Sequence, residues 1–231
     1  GFGFAPTRPE DRDLNMRMMN RVEAIPLESM RQGMRWDWET FPEFLDSLDN
    51  QGLGVNVGAL FPFSAMRGYV LGMLPARERT SVTDKELGQM KQLFHDAMKA
   101  GAFGISADKN MEDRPEDGGF LPSHVASDEE FLALADVLGE FGVGHYGWTI
   151  GVGHEPEECR RQEALLTEIM KRTGRPLHVI LGDLEGFKWV EQSRADGFPV
   201  VIQVQPVGND AEFKLDEYNL FDYMPNWVQP F

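Results

Sequence analysis

Residues 83–107 read TDKELGQMKQLFHDAMKAGAFGISA. Thr83-Asp-Lys-Glu86 has the spacing of a capping box, in which each side chain satisfies the other residue's free backbone N–H. Leu87, Met90, Phe94, Ala97 and Met98 then recur at helical spacing and give the helix one apolar face. Gly101 stops it, because glycine enters left-handed backbone at little cost. The apolar run AFGISA (102–107) follows as a strand. A helix that ends on glycine and feeds a short apolar strand is one unit of an alternating α/β fold.

The same unit recurs on both sides. VNVGALF (55–61) reads as the preceding buried strand. After the quoted stretch, Ser127-Asp-Glu-Glu130 is a second capping box, and Phe131, Leu134, Ala135 and Leu138 form an apolar stripe. Gly142 and Gly144 break the chain before the strand HYGWTI (145–150). Pro156 opens a helix to about Arg172, Gly174 ends it, and LHVIL (177–181) is the next strand. A helix across 186–196 leads to VVIQVQ (200–205). Near the start, Thr40-Phe-Pro-Glu43 also has capping-box spacing, with Phe41, Phe44, Leu45 and Leu48 on the apolar face and Trp36 and Trp38 as docking aromatics.

About five strand–helix units imply a parallel sheet with helices outside. A complete (β/α)8 barrel takes about 250 residues. The expected fold is therefore a partial (β/α)8 TIM-type barrel, with an open doubly wound sheet as the alternative. No Gly-x-Gly-x-x-Gly links a strand to a helix, and there is no P-loop, so dinucleotide and nucleotide readings lose support.

Composition narrows the partners. The 231 residues are 42% hydrophobic, enough for one large domain. Against 38 acidic residues stand 22 basic ones, a net charge of −16. Such a surface repels phosphate backbones and anionic lipid, which argues against nucleic acid and membranes as partners. No apolar run approaches the roughly 20 residues of a membrane span. The one cysteine, Cys159, excludes an internal disulfide framework and suits a reducing compartment, so a cytoplasmic location is expected. With no second cysteine or basic cluster beside it, it is a poor nucleophile candidate. The ends, GFGFAP (1–6) and NLFDYMPNWVQPF (219–231), are apolar and aromatic, unlike frayed termini. They read as interior sequence of a longer chain.

Four stretches, in order and spacing, resemble the N-acyl-D-amino-acid deacylases, the D-aminoacylase-like members of the amidohydrolase superfamily. They are GFGFAPTRPEDR (1–12), WDWETFPEFLDSLD (36–49), VNVGALFPFSAMRGYVLG (55–72) and AGAFGISADKNMEDRPEDGG (100–119). The resemblance implies that residues 1–231 are the central part of one catalytic barrel, with flanking strands and a small β-sandwich outside this chain. It implies a zinc-dependent hydrolase that cleaves the amide of an N-acyl-D-amino acid, or a similar small linear amide, by attack of metal-bound water. It also places the main metal ligands upstream of Gly1 and the catalytic aspartate beyond Phe231. Two further family histidines would fall at Thr149 and at Leu181 or Gly182, none of which is a good zinc ligand.

Nearby residues are candidates to take their place. His154 follows the fifth barrel strand and Asp183 the sixth, both on the active-site face, and both are metal-ligand candidates. His145 and His178 begin their strands, roughly 13 Å from the strand ends in the case of His145, where a structural role is expected. His95 and His124 read as structural or exposed. Arg67 is a candidate to grip a substrate carboxylate, with an ion pair as the alternative. Ser106, read as the end of the fourth strand, is the second substrate-binding candidate, and 111–119 reads as a polar loop over the barrel mouth. Two rival functions remain open at this point: a barrel that has lost its metal site and binds a ligand or partner, and a metal-free enzyme using carboxylates such as Asp108 and Asp183.

Overall fold

The computed structural model describes residues 1–111, 113–150, 156–181 and 184–204. Three helices come first: α1 (Arg12–Val22), α2 (Leu27–Gly33) and α3 (Phe41–Asn50). Strand β1 (Phe61–Pro62) leads into α4 (Phe63–Leu71) and α5 (Met73–Ala76). Then follow α6 (Asp84–Ala100), β2 (Gly104–Asp108), α7 (Pro122–Val125), α8 (Asp128–Phe141), β3 (His145–Ile150), α9 (Pro156–Thr173), β4 (Leu177–Leu181), α10 (Leu184–Ala195) and β5 (Val200–Gln203).

The five strands lie in the order β1-β2-β3-β4-β5, and every neighbouring pair is parallel. Sequential order without a reversal is the topology of a barrel arc. A doubly wound sheet needs a switch point where the order turns back. Alternation along the strands puts Ile105 and Ala107, Tyr146 and Trp148, Leu177 and Val179 on one face, all of them buried. That face meets the helices: Trp148 donates from its indole N–H to Gln162 of α9 at 3.2 Å, and its ring meets Phe131 of α8 edge-on at 5.0 Å. The opposite face carries Ser106, Thr149, Ile180 and Val201. Ile180 is 46% exposed and Val201 42%. It corresponds to the inside of the barrel.

Local chemistry explains the elements. Thr40 and Thr83 both form reciprocal capping boxes, with Glu43 and Glu86. Gly101 ends α6 at φ 108°. Gly104 starts β2 at φ 130°, where a side chain would run into the backbone of His145. An aromatic series runs from Trp38 and Phe44 through Phe41 and Phe61 to Phe94 and joins α3, β1 and α6.

Two sequence expectations shift. The strand expected over 55–61 begins only at Phe61. Val55 and Val57 are 74% and 51% exposed, because no described strand lies beyond β1 to pair with them or cover them. The second is at β2, which extends to Asp108, one residue past the expected end. Asp108, and not Ser106, thus stands at the rim. The last strand is described through Gln203, and residue 205 lies outside the described residues.

Candidate functional site

In parallel barrels the working surface is built at the C-terminal ends of the strands. Register places Asp108 of β2 beside Thr149 of β3, and Thr149 beside Ile180 of β4. Asp108 is fully buried. Its Oδ1 accepts the backbone N–H of Asn110 at 2.7 Å, the tight turn that leads off the strand. Its Oδ2 has no hydrogen-bond partner.

Two residues from the following loop and helix close on this carboxylate. His124 of α7 sits with Nε2 3.7 Å from Asp108 Oδ2, and both side chains are essentially sealed from solvent. The His124 Nδ1 accepts the backbone N–H of Leu121 at 3.3 Å. That bond leaves the ring proton on Nε2, aimed at Asp108. Burial pushes the His124 pKa down, against the pull of Asp108, so the ring is neutral. Asp113 completes the group. Burial first, and the neighbouring Asp108 charge second, push its carboxyl up to about 8. Asp113 is partly exposed while Asp108 is not.

The loop is held firmly enough to fix this arrangement. Arg77 clamps the Asp117 carboxylate through both terminal nitrogens, at 2.9 and 2.6 Å, and donates from Nε to the Phe120 carbonyl. Arg114 donates to the Met111 and Gly119 carbonyls, and Arg17 pairs with Glu116 at 2.6 Å. The side chains of α7 and β1's helix also meet, where Ser64 donates to Ser123 at 3.0 Å.

Arg67 is placed elsewhere. It lies within α4, fully buried, and its Nε and Nη2 reach both oxygens of Glu130 at 2.7 and 3.2 Å. Nη1 and Nη2 also serve the carbonyls of Ala76 and Arg79. The guanidinium locks α4, α5 and α8 together and presents nothing to an open surface, so the substrate-gripping role expected for it gives way to the ion-pair alternative. Ser106 lies on the inner face, half-buried, one layer below the rim and level with Pro62 and Gly147. His154 and Asp183 lie outside the described residues. His145 and His178 stack ring on ring at 4.0 Å at the opposite end of the inner face from the rim.

The residues described do not fit a metal centre. No three His, Cys, Asp or Glu side chains among them converge as ligands. Thr149 and Leu181 offer no good donor at the two positions where the resemblance expects histidine. His124 Nε2 faces Asp108 Oδ2 at 3.7 Å, and neither atom has a hydrogen-bond partner. The residues that sequence reading missed are His124 and Asp113. Pro122 at the start of α7, two positions before His124, was the available signal for a helix turned back on the strand end. Asp113 gave none, since it sits in a charged loop like any solvated one.

No family model matches the chain. A D-aminoacylase of Alcaligenes xylosoxydans xylosoxydans is 30% identical over 155 residues, 67% of this chain and 28% of that protein. An uncharacterized protein of Mycobacterium tuberculosis is 34% identical over 128 residues, 52% of this chain and 21% of that one. Among solved structures, the D-aminoacylase said to define a novel subset of amidohydrolases superimposes with a TM-score of 0.62 at 20% identity, over 89% of this chain and 47% of that one. A D-aminoacylase studied for the role of its binuclear metal center gives the same TM-score at 22% identity, over 79% of this chain and 37% of that one. The chain spans less than half the length of each of these proteins.

The sequential parallel arc, with helices on one side and polar side chains at the strand ends, is a partial α/β barrel with the fold of the D-aminoacylase structures it superimposes on. Within that class the chain is D-aminoacylase-like, in sequence and in fold. None of the described helices is long and apolar enough to cross a membrane.

Proposed function

We propose that this chain supplies the central strands of a barrel that hydrolyses the amide bond of an N-acyl-D-amino acid or a similar small linear amide. The observation that carries the reading is the 30% identity to a D-aminoacylase over two thirds of the chain. The carboxyl groups of Asp108 and Asp113 near the rim support it, since amide cleavage needs a group able to pass a proton to the departing nitrogen. Zinc enters through the likeness, and its ligands are sought at His154 and Asp183 and upstream of Gly1.

The test is an assay of the full-length protein on a panel of N-acetyl-D-amino acids, read as release of free amine, with and without a chelator. Hydrolysis confined to the D-enantiomers is the expected result, with loss on chelation and recovery on adding zinc. Activity that survives chelation would favour the metal-free carboxylate reading. A second reading, a barrel that binds without catalysis, draws on Thr149 and Leu181 standing where metal-binding histidines are expected. Chelator-sensitive hydrolysis would exclude it.

A further inference from the structure

Between α4 and α6 lies a cleft of about 260 Å³, lined by Arg8, Tyr69, Val70, Gln89, Gln92 and Leu93. None of these residues belongs to a strand or to the group around Asp108. The wall is mixed. Val70 and Leu93 are half-buried apolar side chains, and Gln89 and Gln92 are exposed carboxamides. Arg8 is the one cation among the six. A concave, partly apolar wall with a few fixed polar groups is the usual make-up of a small-molecule site.

Arg8 is held in place but not neutralised. Its Nη2 donates to the Val70 carbonyl at 3.1 Å, and its guanidinium carbon lies 5.7 Å from the centre of the Tyr69 ring. Tyr69 is fixed in turn, because its hydroxyl donates to Glu39 at 2.7 Å. Burial first, and that bond second, push the phenol up to about 12, so the ring stays neutral beneath the cation. The Glu39 carboxylate is thereby taken up by Tyr69. Asp11 feels the Arg8 charge only as the weakest of its influences. Among the described residues no carboxylate forms an ion pair with Arg8. By contrast Arg17, Arg31, Arg77 and Arg79 each reach one. In a chain with 38 acidic residues against 22 basic ones, a positioned guanidinium without a carboxylate is a vacancy for an anion.

We propose that this cleft binds a small carboxylate that carries a short hydrocarbon chain. The bond to Val70 uses one N–H of the guanidinium fork and leaves the others for a carboxylate, the group that fork matches best. The chain of the ligand lies against Val70 and Leu93, where apolar contact removes it from water. Gln92 is turned to Asp96, to which its Nε2 donates at 2.9 Å, so Gln89 is the freer carboxamide donor. At about 30 Å³ for each water-sized unit, the volume suits a ligand of roughly nine non-hydrogen atoms. A cationic ligand would be repelled by Arg8, and a neutral amide would leave its charge unanswered. Neither catalysis nor a metal is needed, so amide hydrolysis can fail and this binding remain.

The probe is hexanoate, and hexanamide, of the same shape but uncharged, is the control. Saturation-transfer NMR titrations at neutral pH measure both on the full-length protein, as wild type, Arg8→Met and Gln89→Glu. Arg8→Met keeps an apolar stem against Tyr69 and removes the charge. Gln89→Glu leaves Arg8 in place and puts a carboxylate into the cleft from an exposed position on α6, where folding does not depend on it, so it decides the matter should Arg8→Met fail to fold. Expected for the wild type is saturable hexanoate binding with a Kd on the order of 1 mM. Each variant should weaken it roughly 10-fold or more, and hexanamide should bind the wild type as weakly as hexanoate binds Arg8→Met. Hexanoate binding that both variants keep at full strength would overturn the proposal, as would equal binding of hexanamide or a response that never saturates. Full affinity in Gln89→Glu would also overturn it, even with loss in Arg8→Met, because the carboxylate would then meet Arg8 outside this cleft.

Discussion

Arg67 shows how a single residue changes meaning between sequence and structure. In the sequence it is a lone cation after an apolar strand, well placed to meet a substrate carboxylate. In the fold it is fully buried against Glu130, a partner 63 positions away. Nothing within a few residues of either announces the pair. Glu130 carries a second duty, accepting the N-cap N–H of Ser127 at 3.0 Å. Glu130→Ala therefore strands a buried guanidinium and frays the start of α8. It should cost about 3–5 kcal/mol, read as a fall in the urea midpoint. The paired change Arg67→Met with Glu130→Leu should recover most of that loss, because the desolvation of both charges disappears with them. Asp108 was legible only as a possible acid. Its partners His124 and Asp113 came to it through the turn of the loop.

At the scale of elements the sequence was a good guide wherever the signal is local. The capping boxes at Thr40 and Thr83, the glycine stop at Gly101, and the strands 145–150 and 177–181 all formed where the spacing put them. In these motifs the interacting groups are three or four residues apart, so the chain carries the whole interaction in one window. Glu86 is bound by the Thr83 backbone and by Arg79, which holds its carboxyl down at about 2. Thr83→Ala removes one half of that arrangement and should lower stability by about 1 kcal/mol, measured by thermal or urea unfolding. Thr83→Ser should be nearly neutral, since the hydroxyl that caps the helix remains. The first strand was overextended for the opposite reason. A run such as VNVGALF is apolar enough for a strand, but pairing depends on what lies alongside, and only Phe61 and Pro62 join the ladder.

At the largest scale the described strands form an arc, with an inner face that the described residues leave uncovered. Ile180 and Val201 are exposed there, and Val204 beyond β5 is 75% exposed. Uncovered apolar strands at a sheet edge recruit other strands. The chain by itself should associate with rising concentration in sedimentation velocity, and Val201→Lys should reduce that association without changing the far-ultraviolet spectrum. A monomer at all concentrations would contradict this. Read without a structure, the sequence determined the alternation of strand and helix, the caps and stops that bound most elements, and the kinship with D-aminoacylases, because these live in short windows and in the order of windows. Tertiary structure alone decided that the strands run in unbroken sequence around an arc, that Arg67 is sealed inside, and that Asp108, Asp113 and His124 meet at the rim. Those outcomes depend on which distant groups share a neighbourhood and on how much water is left between them, and neither distance nor water is written along the chain.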